Sequence, residues 1–196
     1  MLEIILCLIL IFIILYVIYY IKYTNDNLVY IKATADNNYY WVRNTKDNSA
    51  AANVLAEIKK RMIKLVDHLK ETKDTHDGYT TYITDLVRRT KEIYIMESTS
   101  EDKFTSYTVN KGEKIIFCLR SKILNTIHDI NTLMYVVIHE LAHVACPEFV
   151  HKPLFKKIFK FLLKESVIIG IYKKTNYREN PQVYCGMTIN EYLFDD

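Results

Sequence analysis

Val136-Val137-Ile138-His139-Glu140-Leu141-Ala142-His143-Val144-Ala145 is the stretch that decides how this chain is read. At 3.6 residues per turn, histidines four apart sit one above the other on a single helix face, where both imidazoles reach one tetrahedral metal ion. Glu140 lies about 100° around the helix, so it meets a water on the metal rather than the metal itself. In a chain of this length His-Glu-two-any-His arises by chance on the order of 1% of the time, and the apolar flanks lower that further. Apart from the three reactive groups the run is apolar, which predicts a buried helix. Buried His and Glu are costly without partners, and a zinc ion would serve all three.

Zinc in a hydrolase takes three protein ligands and leaves one position for water. Two residues are candidates for the third ligand. His151 follows the helix-ending Cys146-Pro147 and stands just before Pro153, a proline suited to the first turn of a new helix. A ligand at a loop end can adapt its reach. Glu165, on the helix that follows, is the alternative, and would build the site from two histidines and a carboxylate. Its neighbours Phe161, Leu162, Ile168 and Ile169 are apolar, so it is not plainly a solvated residue.

From His139 to Phe155 the chain resembles the minimal zinc proteases of the WLM and SprT (Spartan) type. In these, HELAH is followed by a loop and a third histidine that opens a helix, with a phenylalanine four residues on; His151-Lys152-Pro153-Leu154-Phe155 matches that element. The resemblance implies a zinc peptidase with His139, His143 and His151 as ligands and Glu140 as general base. The gap from His143 to His151 is slightly longer than is typical of WLM domains and shorter than is typical of SprT domains. Tyr184-Cys185-Gly186-Met187 is similar to the tail of WLM-like proteins of large DNA viruses.

The other strong signal is at the N-terminus. Ile4 to Ile21 carries no charge and is almost entirely Ile, Leu, Phe, Val and Tyr, which predicts a membrane-spanning helix. Tyr16, Tyr19, Tyr20 and Tyr23 suit an interface, and Lys22 can snorkel. The bulky residues through Tyr23 argue against a cleaved signal peptide. Lys22, Lys32 and Arg43 after the span, against Glu3 before it, predict a cytoplasmic catalytic domain, with a virion membrane as the other location. Four cysteines fit a reducing compartment, with Cys7 in the span and Cys118 in a strand; Cys146 and Cys185 are the pair with a plausible partnership.

With 196 residues, half of them apolar, the chain can bury one core. Its net charge of +3 makes no case for nucleic acid as a partner. The expected organisation is an anchor over 1–23, a tether over 24–48 with Tyr39-Tyr40-Trp41 docking on the domain, and a metallopeptidase domain over 49–196. Within that domain, helices are predicted from Asn48-Ser49 to about Glu71, from Tyr79 to Glu92, from an Asp129 or Asn131 cap to Ala145, and from Pro153 to near Gly170. Tyr107–Val109 and Ile115–Leu119 read as strands joined by a turn, the segment from Glu113 to Leu119 being the candidate to pair with extended substrate. His68, His76 and His128 read as surface residues.

The sequence therefore predicts an α+β, zincin-like domain, mainly helical, with a small sheet beside the metal helix and one transmembrane helix. Its expected function is membrane-anchored, zinc-dependent hydrolysis of protein or peptide substrates. Tyr177, Tyr184 or His128 would supply an oxyanion donor. A non-catalytic, zinc-stabilised module displayed at a membrane is the second reading, and a protease acting on DNA-crosslinked proteins the third.

Overall fold

The computed structural model describes residues 2–25 and 28–194. Among the described residues, five α-helices and three small sheets make an α+β fold around one core. Its centre is α4 (Ile130–Ala145), which is buried on nearly every face, as its all-round apolar sequence requires. The Asp129 side chain caps it, accepting from the backbone N–H groups of Asn131 and Thr132 at 3.0 Å each.

Around α4 pack α2 (Asn48–Thr72), α3 (Thr80–Arg89) and α5 (Pro153–Ile168). The stripe of Leu55, Ile58, Met62, Leu65 and Leu69 is the buried face of α2. Asp47, rather than Asn48 or Ser49, takes the N-cap position of α2, but its carboxylate is drawn to Arg120 and Thr45 and makes no cap bond. The sheet beside α4 has the order β3-β5-β4, with β3 (Tyr94–Glu97) parallel and β4 (Tyr107–Val109) antiparallel to the central β5 (Lys114–Phe117). Because β5 is paired on both sides, the strand expected to hold substrate has no edge to offer. The edges belong to β3 and β4, and it is β4 that borders the cleft.

Two short hairpins complete the fold. The first, β1 (Leu28–Lys32) with β2 (Tyr39–Arg43), occupies the stretch read as a tether, and it buries Ala33, Tyr40 and Val42 in the common core. Asn37 turns it with φ 61°, and Asn53 of α2 accepts from the N–H groups of Thr34 and Ala35, so the polar residues of this segment serve the turn. The second, β6 (Gln182–Tyr184) with β7 (Met187–Ile189), is fastened to the end of β5 by a Cys118–Cys185 disulfide. That corrects the reading of Cys118 and Cys185 as free thiols of a reducing compartment; Cys146, the partner considered for Cys185, is a buried free thiol at the end of α4.

The N-terminal segment forms α1 (Leu2–Asn25), but among the described residues no helix is long and apolar enough to cross a membrane. This overturns the expected transmembrane helix, the membrane contact through residues 4–21 and the single-pass membrane location. Glu3, Lys22 and Tyr23, used for orientation and interface anchoring, have side chains outside those described.

Candidate metal centre and cleft

Three histidines meet on the floor of a cleft of about 1090 Å³. His139 and His143 project from one face of α4. His151 reaches them from the loop before α5, which Pro153 opens as its first residue. The Nε2 atom of His151 lies 3.0 Å from that of His143 and 3.0 Å from that of His139. A single phenylalanine, Phe155, touches all three rings, with centroid distances of 4.9 Å to His139, 4.3 Å to His143 and 4.7 Å to His151. The helix that starts beside His151 thus also supplies the apolar backing of the cluster.

Burial favours the neutral form of the two α4 histidines. It pushes His139 down to about 3, assisted by the His143 and His151 rings, and His143 down to about 4, assisted by His151 and Lys111. Neutral imidazoles have the lone pairs that a metal needs. Burial acts oppositely on Glu140, which is 4% exposed, and pushes its carboxyl up to about 7. A hydrogen bond from Thr108 Oγ1 to Glu140 Oε2, 2.9 Å, works against that rise by favouring the carboxylate. The sequence pattern read Tyr107–Val109 as a strand, but nothing local tied Thr108 to Glu140.

The C-terminal end of α4 is held from two sides. Arg89 donates to the Val144 carbonyl at 2.6 Å, and the Lys111 ammonium donates to the carbonyls of Cys146 and Glu148 at 2.8 Å each. Lys111 sits in the turn between β4 and β5, next to Gly112. There φ is +117° and a Cβ would stand 3.0 Å from Val144 Cγ1, so this turn needs glycine to press against α4.

Glu165, the alternative third ligand, lies elsewhere. Its Oε2 is 2.7 Å from His68 Nε2 and 3.7 Å from His76 Nε2, and none of these three residues lines the cleft. His68 and His76 are therefore partnered, not plain surface residues. His128 is half-buried, its ring beside Tyr184 and its Nε2 accepting from the Cys185 N–H at 3.3 Å. Of the three residues considered as oxyanion donors, Tyr184 lines the cleft; Tyr177 packs behind it against Tyr135. Tyr184 O–H and Ser106 Oγ are 2.7 Å apart, and Ser106 Oγ accepts from the Cys118 N–H at 3.0 Å. Burial raises the Tyr184 phenol far above its usual range, so it keeps its proton at neutral pH.

The uncharacterized protein R325 of Acanthamoeba polyphaga mimivirus is 44% identical over 172 residues, covering 88% of this chain and 87% of R325. The chain belongs to the R325 family. Protein 136R of Invertebrate iridescent virus 6 is 39% identical over 72 residues, 36% of this chain and 40% of 136R. Protein 042R of Invertebrate iridescent virus 3 is 46% identical over 68 residues, 34% of this chain and 42% of 042R. No family model matches the chain. Among solved structures, a mutant of Wss1 from Saccharomyces cerevisiae aligns with a TM-score of 0.50 at 18% identity, covering 65% of this chain and 86% of that one. A second Wss1 structure aligns with a TM-score of 0.46 at 20% identity, covering 63% and 82%. The likeness is one of fold. It agrees with the WLM-like part of the resemblance and does not extend to SprT or to zinc.

Proposed function

We propose that this R325-family chain is a zinc-dependent peptidase of the WLM type, with His139, His143 and His151 holding the ion and Glu140 acting as general base. The observation that carries the reading is the convergence of three histidine Nε2 atoms beside a buried carboxylate on the floor of an open cleft. The donor set fits the ion: ligands about 2.1 Å from a tetrahedral zinc stand roughly 3.3 Å apart, close to the 3.0 Å separations found. These three residues are also grouped by geometry as able to hold a metal.

When bound, zinc would polarise the scissile carbonyl and bring the pKa of a water to near neutrality. The rest falls to the chain. Glu140 would take a proton on a carboxylate oxygen and return it to the leaving amine, a task suited to a carboxyl poised close to neutral pH. Edge strand β4 lies along the cleft through Tyr107 and Thr108, with Ser106 just before it, and its outer backbone groups would pair with extended substrate. Ser106 can pass its hydrogen to the Tyr184 oxygen while accepting from Cys118. Tyr184 O–H would then donate to the oxygen of the attacked carbonyl. Phe149, Phe159 and Met187 line the same cleft and favour apolar substrate side chains.

Glu140→Gln tests the proposal directly. Cleavage of an unfolded protein substrate should fall by about 10³-fold or more, with bound metal and melting temperature unchanged from the parent protein. Cleavage that persists in Glu140→Gln would end this assignment.

A further inference from the structure

We infer that His68, His76 and Glu165 form a second divalent-cation site, outside the cleft, for a borderline metal of the zinc class. The inference is independent of any peptidase activity. Glu165 is 7% exposed and stands mid-face on α5, where a lone carboxylate would be costly. Its Oε2 faces two imidazoles, His68 Nε2 at 2.7 Å and His76 Nε2 at 3.7 Å, and the three ligand atoms all lie within 4.8 Å of one another. One histidine is enough to satisfy a carboxylate oxygen. Here a second ring, from the segment beyond the 3₁₀ turn Lys73–Thr75, is aimed at the same point.

Neighbouring side chains position the two histidines. Thr72 Oγ1 donates to the His68 carbonyl at 2.8 Å and lies 3.1 Å from His76 Nε2. Phe161 meets the His76 ring edge-on at 5.0 Å, and Tyr79 stacks on Phe161 at 4.1 Å. Two imidazole nitrogens and one carboxylate oxygen form a set that suits zinc, cobalt or nickel better than calcium or magnesium. Both histidines are partly exposed, so an ion can enter from solvent. Lying outside the cleft, the site would serve structure rather than catalysis. It would join the C-terminal end of α2 to α5, the helix whose Phe155 backs the cleft histidines.

The test uses the untagged full-length chain carrying His139→Ala and His143→Ala, which removes two of the three cleft histidines and leaves the second cluster intact. After equilibration with Zn²⁺ and removal of excess, elemental analysis should find one equivalent per chain, against two in the parent. Co²⁺ should give a d–d absorption band in the same variant. Adding Glu165→Gln, or His76→Gln should the first fail to fold, should remove both the equivalent and the band. A hydrogen-bonded triad with no affinity for metal predicts no bound zinc in the cleft variant, and that result overturns the inference. So does an equivalent that survives both further substitutions.

Discussion

Buried polar groups are handled in opposite ways at two places in this molecule. Beneath the first hairpin, Glu97 and Arg120 are both 0% exposed and close on each other: Arg120 Nε donates to Glu97 Oε1 at 2.8 Å, and the Arg43 backbone N–H donates to Glu97 Oε2 at 2.8 Å. Arg120 also reaches Asp47 at 2.6 Å, while the Arg43 side chain bonds the carbonyls of Ser98 and Thr99. Each charge meets its opposite, and β2, β3, β5 and the start of α2 are tied together. In the cleft, three like groups turn their nitrogens towards one another. The first cluster pairs its charges within the chain, with Arg120 Nη2 alone among its buried polar side-chain atoms left without a hydrogen-bond partner, whereas the cleft cluster would, on the proposed reading, be completed by a cation. Architecture and function differ here in what the partners are, not in how deeply they are buried.

Removing the hub of the closed network should therefore cost stability and leave the cleft chemistry alone. Glu97→Ala removes the buried carboxylate that faces both guanidinium groups and should lower unfolding stability by about 3–5 kcal/mol in denaturant titrations, with metal per folded chain unchanged. A loss of metal without a loss of stability would erase the distinction. On the cleft side, Tyr184→Phe keeps the ring and removes the donor. It should cut kcat by roughly 10²-fold or more with little change in KM or melting temperature, and an unaltered kcat would remove Tyr184 from the reaction.

Acid should separate the regions next. His139 and His143 hold protons more weakly when folded, at about 3 and 4, than at their ordinary 6.5. Their contribution to metal-free stability is present above pH 6.5 and is lost as pH falls from there towards 4. Glu140, raised to about 7, runs the other way, its contribution present at low pH and lost as pH rises through 7. Melting curves of metal-free protein against the His139→Ala, His143→Ala variant should thus show the parent losing ground between pH 6.5 and 4. Parallel curves would contradict neutral, buried rings. The smallest effect is expected from Thr108→Val, which deletes the bond favouring the Glu140 carboxylate. The acid limb of the pH–rate profile should move up by at most about one pH unit, and a downward move would reverse the role given to Thr108.

The same contrast explains what could be read from the chain. His139, Glu140 and His143 lie within one helical turn and His151 within one loop, so local spacing brought them to notice, and the apolar periodicity of α2, α4 and α5 was equally plain. Glu97, Arg120 and Asp47 meet across three separate segments, as do His68, His76 and Glu165, and no local pattern marks such meetings. The β1–β2 hairpin was hidden because its turn and flanks are rich in Asn and Asp, which read as linker until Asn37 and Asn53 are seen to serve the turn. Strand β3 is too short to show a period. The apolar N-terminus misled in the other direction, since hydropathy alone suggested a span that the described helix does not support.

Lys111 carries one more consequence. Its ammonium belongs to the hairpin that would hold the substrate, yet it grips the carbonyls of Cys146 and Glu148 in the segment leading to His151. Thr108 on the same hairpin grips Glu140. The rail along which a polypeptide would lie and the tools that would cut it are thus one rigid assembly, bolted at two points. Alignment between them, which chemistry of this kind needs to within about half an ångström, is set by the chain's own construction before any substrate arrives.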